Sequence, residues 1–347
     1  MKKQLRSGYT TGTCAAAGAK AAVMMLEEQA PLAEVTIVLP SGAPATFTVH
    51  GHSWSEESAT CYIIKDAGDD PDITNGAQIH VQARRTSGSP GEAPPLIIEG
   101  GMGIGKVTKP GLAIPPGEWA INPVPRRMIA EAVASVPSRP PSLIITISIP
   151  DGEERALKTL NSRLGIIGGL SILGTSGIVR PISTAAWTDT IDASLDVARA
   201  CGCETVILST GRTSEQAARH ALPHLPEDAC VMMGDHAAHA MRACVARGFT
   251  TPVIACQFAK MLKIACGHEN THAAASELDV RILLSWAETA HLPRRILNLI
   301  SHANTAREIA IATDFDTTLM AIVSERARQA ASTHAPGITI IPLLCRY

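Results

Sequence analysis

Short apolar segments alternate with helix-like segments in the second half of the chain. TVILST at 205–210, CVMMG at 230–234 and PVIACQ at 252–257 read as buried strands. Helix-like segments precede or separate them, at 185–201, 214–222 and 236–247. Because neighbouring parallel strands need a crossover connection that is usually a helix, this alternation predicts a parallel sheet.

The remainder of this half continues the same pattern. Helix-like sequence fills about 272–333, and ITIIPLL at 338–344 supplies a last strand. We therefore predict a Rossmann-like α/β domain over residues 183–347, with a domain boundary near 182.

Residues 1–182 show a different order of elements. A helix is predicted from Thr13 to about Glu28, with Thr11 or Thr13 as its cap, because the segment is rich in alanine and Pro31 ends it. Further predicted elements are strands at 34–40, 45–51, 59–66, 77–84 and 142–150, a helix at 126–136 and a turn-rich segment at 163–181. This order is typical of an α+β domain and not of repeated βαβ units.

Residues 97–111, IIEGGMGIGKVTKPG, place four glycines and then a lysine after an apolar strand. The spacing G-x-x-x-x-G-K matches a phosphate-binding loop, but Val107 stands where Ser or Thr would hold magnesium. Pro110 also leaves no room for the helix that such a loop opens. The dinucleotide spacing G-x-G-x-x-G is not met either. Two interpretations stay open: a loop whose backbone approaches a ligand closely, and a β-turn between two strands.

Ligands of open parallel sheets bind beyond the carboxyl ends of the strands. Two strand-to-helix loops of the second domain carry suitable residues, at 209–213 and 233–236. An aspartate there can accept hydrogen bonds from the hydroxyl groups of a nucleoside, and helix N–H groups can bind an anion. The alternative is that Thr213 and Asp235 are ordinary helix N-caps. The cofactor-binding candidates are Thr210, Gly211, Arg212, Gly234 and Asp235.

The segment GHENTH at 267–272 places two histidines four residues apart. It lacks the H-E-x-x-H order of a metalloprotease, so a histidine that accepts a proton or binds the substrate is preferred to a metal site. His272 and His268 are the catalytic candidates, and no protein-bound metal is expected. The alternative is the start of a helix that Asn270 or Thr271 caps.

Basic side chains collect beside the Gly- and Pro-rich segments of the first domain, although the net charge of the chain is −2. Arginine binds carboxylates in a bidentate fork, so this set suits a ligand that carries several carboxylates. A solvated surface is the ordinary alternative. The substrate-binding candidates are Thr10, Thr11, Gly103, Gly105, Lys106, Lys109, Arg126 and Arg180.

Composition argues against several classes of protein. The slightly negative net charge and an aromatic content of 3% disfavour a general nucleic-acid binder. No stretch of about 18 apolar residues suits a membrane span, and the N-terminus does not resemble a secretory signal. Nine scattered cysteines fit reduced thiols in the cytoplasm better than a disulfide framework. The sequence is compatible with a homo-oligomer.

Four long segments, in order along the chain, closely resemble the cobalt-precorrin-5B C1-methyltransferases (CbiD) of anaerobic cobalamin biosynthesis. They are LRSGYTTGTCAAAGAKAA at 5–22, GGMGIGKVTKPGL at 100–112, PPGEWAINPVPRRMI at 115–129 and LKTLNSRLGIIGGLSILGTSGIVRP at 157–181. The later segments ILSTGRTSEQAA and KIACGHENTHAAASELD fit the same family.

The resemblance implies a methyl transfer from S-adenosylmethionine to C-1 of cobalt-precorrin-5B, giving cobalt-precorrin-6A and S-adenosylhomocysteine. Cobalt would arrive only as part of the corrinoid substrate. One alternative is a non-catalytic tetrapyrrole-binding protein, which would show no cofactor site. The other is a small-molecule kinase, which the missing Ser or Thr after Lys106 disfavours.

Overall fold

The computed structural model describes residues 5–86, 96–140 and 142–347, which divide into unit 1 (Met1–Ser183) and unit 2 (Thr184–Tyr347). The helices of unit 1 are α1 Thr11–Glu28, α2 Pro123–Ala134 and α3 Gly152–Ala156. Its strands are β1 Gly8–Tyr9, β2 Glu34–Val38, β3 Pro44–Thr48, β4 His50–Trp54, β5 Ser58–Ile64, β6 Gln78–Arg85, β7 Leu96–Gly100, β8 Lys106–Val107, β9 Leu143–Ser148, β10 Ile166–Ile167 and β11 Ile178–Val179.

Unit 1 is built on a mixed five-stranded sheet. Its order is β4-β5-β6-β9-β7, with antiparallel pairing throughout except between β7 and β9, which are parallel. Smaller antiparallel pairs join β2 to β3, β1 to β11 and β8 to β10. β8, β10 and β11 lie in segments predicted as turns, and no element was predicted at β1, since two-residue strands leave no periodic pattern in the sequence.

Helix α1 packs directly on this sheet. Most of its residues are buried, and alanine is the commonest among them. A Cβ at Gly18 would lie 2.7 Å from Cγ2 of Val81 in β6, so the Val81 side chain packs directly against the helix backbone. Thr10 caps the helix by accepting a hydrogen bond from the N–H of Thr13 at 3.2 Å. The predicted caps, Thr11 and Thr13, are wrong, because their hydroxyls bind backbone of residues 171–177 instead.

The single strand predicted at 45–51 is two strands, β3 and β4, in different sheets. The chain changes partner at Val49, whose N–H donates to the carbonyl of Ala33 at 2.9 Å. Gly51 has a φ of 63°, which only glycine adopts readily, and a β-bulge lies between His50 and Ser53. This local bend redirects the chain from β2 to β5.

Unit 2 alternates helices and strands. Its strands are β12 Ile207–Ser209, β13 Cys230–Met232, β14 Val253–Gln257 and β15 Ile341–Cys345. Its helices are α4 Thr184–Ala200, α5 Arg212–Ala221, α6 Ala237–Ala246, α7 Phe258–Ala265, α8 Val280–Thr289, α9 Arg294–His302, α10 Ala306–Ala312 and α11 Thr317–His334, with a 3-10 turn at Glu227–Ala229.

The four strands form a wholly parallel sheet in the order β13-β12-β14-β15, so the predicted parallel sheet is confirmed. Ile207 and Ala255 face α5, where they pack against Ala218. Leu208 and Ile254 face the opposite side and join the larger core formed with α4, α6, α7 and α11. Helices therefore cover both faces, which explains why these strands are apolar at most positions.

Two predictions for unit 2 are wrong. Helix α7 begins directly after β14, where no helix was predicted, because no polar loop separates the strand from the helix. Conversely, residues 272–279 are not helical, and α8 begins only after Asp279, whose side chain accepts a hydrogen bond from the N–H of Arg281.

Neither a membrane-spanning helix nor a metal site emerges from residues 5–86, 96–140 and 142–347. Their helices are too short or too polar to cross a bilayer. The same residues contain no group of three or more His, Cys, Asp or Glu side chains placed to hold a metal ion.

Candidate functional site

The glycine loop of unit 1 is a tight turn that packs against neighbouring backbone. The N–H of Ile104 donates to the carbonyl of Gly101 at 3.2 Å, which confirms the interpretation as a β-turn. A Cβ at Gly103, whose φ is 73°, would lie 1.9 Å from the carbonyl oxygen of Ile149. A Cβ at Gly105 would lie 2.5 Å from Ile166. β8 follows at once, so the helix of a phosphate-binding loop is absent from this described segment.

The cations near this loop have different surroundings. Arg126 donates from Nε to the carbonyl of Ile121 at 3.0 Å and from Nη1 to that of Ile98 at 3.1 Å. Nζ of Lys109 donates to the carbonyl of Arg163 at 3.2 Å. These side chains therefore hold the backbone of the loop region in place.

Lys106 and Arg180 are the exposed members of the predicted cationic set. The Lys106 ammonium lies 4.5 Å from the ring centroid of Trp119, a distance suited to a cation–π contact. Its charge faces solvent and is positioned by an aromatic ring, so Lys106 suits an anionic ligand better than Lys109 or Arg126 does.

Thr10 and Thr11 are buried at the start of α1. The hydroxyl of Thr11 accepts from the N–H of Leu173 at 2.9 Å and lies 3.3 Å from the carbonyl of Ser171. The N–H of Thr10 donates to the carbonyl of Gly177 at 3.1 Å. Their observed contacts join α1 to the Gly-rich segment 163–181.

The strand ends of unit 2 bring the predicted cofactor residues to one edge of the sheet. Thr210 and Gly211 follow β12, and Gly234 and Asp235 follow β13, the neighbouring parallel strand. The N–H of Met233 donates to the carbonyl of Ser209 at 2.8 Å, so the two loops are directly hydrogen-bonded where they leave the sheet.

Helix α5 begins directly after the loop that follows β12, and Thr213 does not cap it. Gly211 is the N-cap residue, and Oγ of Ser214 accepts from its N–H at 3.2 Å. The alternative interpretation of Thr213 as N-cap is therefore wrong. A Cβ at Gly211 would meet nothing within 4 Å, and Arg212 is exposed, so this turn has free space around it.

Asp235 is not an N-cap either, since that position belongs to His236. Its Oδ1 forms an ion pair with Lys260 of α7 and accepts a hydrogen bond from the Thr271 hydroxyl at 2.7 Å. Burial disfavours the charge on Asp235, but these hydrogen bonds outweigh it, so the pKa of this carboxyl lies below its usual value. The ionised carboxylate is therefore fixed in place at the strand end.

A second lysine joins this cluster. Nζ of Lys263 and Nζ of Lys260 both donate to the carbonyl of Thr271, at 3.0 and 3.1 Å. Burial and the nearby charge of Lys260 lower the pKa of Lys263. Two ammonium groups thus surround one carboxylate, Asp235, and this excess of positive charge favours the anionic part of a ligand.

Lys260, Lys263 and Thr271 were not predicted from the sequence to lie near Asp235. The spacing of the lysines, one helical turn apart on α7, is the available signal, because it places both on one face directly after a strand end. This signal can be used only if α7 is predicted as a helix, and no helix was predicted there.

The two candidate histidines do not share a helix face, because residues 267–279 form turns. This corrects the expectation of a helix start at Asn270 or Thr271. His272 is exposed, and its Nδ1 accepts from the N–H of Ala274 at 3.2 Å. His268 donates its backbone N–H to the carbonyl of Lys263 at 3.1 Å. Both histidines thus flank Thr271, the residue bound to Asp235.

An open cavity of about 500 Å³ lies elsewhere in unit 2, against α9 and α10. Arg295, His302 and Glu308 are among its lining residues. It contains none of the predicted site residues, so it does not alter the assignment of the site to the strand ends.

Known proteins resemble this chain along its length. The family described as CbiD matches residues 1–181, and the description "CbiD, C-terminal domain" matches residues 270–346. A cobalt-precorrin-5B C(1)-methyltransferase of Pelobacter propionicus is 56% identical over 96% of this chain and 92% of that protein. Its namesake in Geobacter sulfurreducens is 55% identical over 99% of this chain and 97% of that protein.

A crystal structure of a cobalamin biosynthesis protein (cbiD) from Archaeoglobus fulgidus is 27% identical, covers 74% of this chain and 78% of its own, and has a TM-score of 0.40. At that score the likeness carries no argument about the fold. The family match over more than half of the sequence, together with relatives above 50% identity, is sufficient: the chain belongs to the CbiD family.

Proposed function

We propose that this protein is a cobalt-precorrin-5B C(1)-methyltransferase of cobalamin biosynthesis. The observation that carries the proposal is the 55–56% identity to curated enzymes of that name over 96–99% of the chain. The matched region covers nearly the whole of both units.

The methyl donor in this proposal is S-adenosylmethionine, whose sulfonium group supplies an activated methyl. We assign it to unit 2, where Thr210, Gly211, Arg212, Gly234 and Asp235 lie at one edge of the sheet. The strand order supports a Rossmann-like domain: β13 and β14 lie on opposite sides of β12, and ligands of such sheets bind at this switch point. The ionised Asp235 and the free space beside Gly211 fit a nucleoside with hydroxyl groups.

The corrinoid substrate is assigned to unit 1. Its carboxylates need cationic partners, and Lys106 and Arg180 are exposed to supply them. Thr10, Thr11, Gly103, Gly105, Lys109 and Arg126 act in this proposal by shaping the surrounding backbone. His272 or His268 would accept a proton if the reaction releases one.

The direct test is an assay of the purified protein with cobalt-precorrin-5B and S-adenosylmethionine. We expect a product heavier by one methyl group, together with S-adenosylhomocysteine, both detected by mass spectrometry. Corrinoid binding without methylation would instead support the non-catalytic tetrapyrrole-binding protein. Phosphate transfer from ATP would support the kinase.

Lys106→Ala tests the substrate assignment. We expect the KM for the corrinoid to rise about tenfold or more, since a charge-assisted hydrogen bond contributes roughly 1.5–3 kcal/mol. The kcat should change little, because the lysine is placed to bind and not to react. Lys158→Ala removes another exposed lysine of unit 1 and serves as the matched control. Equal KM values for the two variants would refute the role of Lys106.

A further inference from the structure

Trp187 is an exposed aromatic side chain beside the candidate cofactor loop. It lies in the first turn of α4, and 47% of its surface is accessible. Atoms Cζ3 and Cε3 of its ring lie 3.7 and 3.9 Å from the position that a Cβ on Gly234 would occupy. Its centroid is 6.4 Å from that of the His236 ring. An indole that is half exposed next to a strand end offers a flat apolar surface to a ligand.

The carboxylate of Asp235 has one oxygen available at the same loop. Both the Lys260 ammonium and the Thr271 hydroxyl bind Oδ1. Oδ2 accepts no hydrogen bond from residues 5–86, 96–140 or 142–347, and the side chain is 25% exposed. An ionised, oriented carboxylate with a free oxygen is a good acceptor for vicinal hydroxyl groups.

Gly234, which precedes Asp235 and lies near the Trp187 ring, does not block a ligand. Gly234 has a φ of 57°, a left-handed conformation that favours glycine, and it presents no side chain between the indole and the carboxylate. His236 is partly buried, and burial lowers its pKa, with Asp235 acting in the opposite direction. This shift favours the neutral imidazole, which does not place a cation against an aromatic base.

We infer that Trp187 and Asp235 form an adenosine subsite, in which the indole stacks on the adenine ring and Oδ2 of Asp235 accepts hydrogen bonds from the ribose hydroxyls. This inference rests on the proposed function, which assigns the nucleoside donor to unit 2. In adenosine the base is joined directly to the ribose, so a stacking surface and a hydroxyl acceptor that border one loop match its shape. Trp187 thereby acts in binding and specificity, and it takes no part in the chemistry.

The test is calorimetric titration of the full chain with S-adenosylhomocysteine. Loss of one base–aromatic stack by alanine substitution corresponds to roughly a 5- to 150-fold weaker Kd, which we expect for Trp187→Ala. Trp187→Phe keeps an aromatic face and should lose much less affinity. Trp54→Ala removes another partly exposed tryptophan, in β4 of unit 1, and should bind like the wild type. Equal thermal unfolding midpoints would exclude a folding defect.

A fluorescence titration gives a second readout that is independent of activity. Binding should change the tryptophan emission of the wild type, and Trp187→Phe should abolish that change although Trp54, Trp119 and Trp286 remain. Adenosine should reproduce the effect, and methionine should not. Wild-type affinity in Trp187→Ala would overturn the subsite and leave the proposed donor intact. If the wild type binds no S-adenosylhomocysteine, the donor assignment and the subsite both fail.

Discussion

Asp235 joins three parts of unit 2 through one carboxylate oxygen: its own loop after β13, helix α7 through Lys260, and the turn at Thr271. Its lowered pKa means that the unfolded chain binds the proton more tightly than the folded one. Stability therefore rises with pH across this window. The charged carboxylate stabilises the folded state fully above the ordinary pKa of 3.8. This stabilisation is lost as the pH falls through the lower pKa of the folded state.

Asp235→Asn should therefore reduce stability by about 1–2 kcal/mol at pH 7, where a partly hydrated charge-assisted bond is lost. The difference from the wild type should shrink as the pH falls below 3.8 and then through the lower folded-state value, because the wild-type carboxyl then also loses its charge. Urea unfolding followed between pH 7 and pH 3 measures both effects. Asp189→Asn, at an exposed position of α4, is the control and should show little difference at any pH. A pH-independent loss in Asp235→Asn would contradict this account.

Single residues also show the limit of what the sequence can predict about the site. Asp235 and Thr210 were predicted because their position depends only on strand ends, which local pattern reveals. Lys260 and Thr271 reach Asp235 through the packing of α7 and the following turn, which no local pattern encodes. Trp187 was missed for the same reason: it lies far from Gly234 in sequence, and only the path of α4 brings the ring to that loop.

Helix α1 depends on the absence of a side chain at Gly18. Gly18→Ala should gain up to about 1 kcal/mol of helix propensity. It should nevertheless destabilise the protein, because the new Cβ would lie 2.7 Å from Cγ2 of Val81 and force α1 away from β6. Urea unfolding of Gly18→Ala measures the net change.

A double-mutant cycle isolates this contact. Val81→Ala alone creates a cavity and should also destabilise. Combined with Gly18→Ala, it gives the new methyl group room, so the double variant should be more stable than the sum of the two losses predicts. Simple additivity would show that the helix and the strand are not in contact at this point.

Among the helices and strands, the sequence best predicted those whose hydrophobic periodicity and connection lengths indicate the same architecture. The parallel sheet of unit 2 follows from three apolar segments separated by helices, and it is present. The failures occur where one element continues directly into the next, as at Gln257, or where a bulge changes the sheet to which a strand belongs, as at Gly51. At Gln257 no turn residue separates the strand from the helix, and the single Gly51 does not distinguish a bulge from a continuous strand.

The described residues of units 1 and 2 form separate apolar cores. The buried clusters around α1 and the mixed sheet draw only on unit 1, and those on either face of the parallel sheet draw only on unit 2. We therefore expect residues 184–347, produced alone, to fold with a single cooperative urea transition and native near-UV dichroism.

The matched control for this fragment is residues 184–337, which lack β15 and so leave β14 without one of its two neighbours. This shorter fragment should lose cooperativity, since β14 loses its pairing with β15 along its whole length and its apolar residues are exposed. If the longer fragment also unfolds without a cooperative transition, units 1 and 2 are not independent domains.

The pairing of β1 with β11 affects how the protein is made. The strand partners of Gly8 and Tyr9 are Val179 and Ile178, although the N–H of Tyr9 also donates to the carbonyl of Asp66. The first turn of α1 binds the same late region. A ribosome adds about 5–20 residues per second, so the emerging N-terminal segment spends roughly 10–30 s before its partner strand is synthesised. The pairing of β1 with β11 is thus among the last native contacts of unit 1 to form during translation.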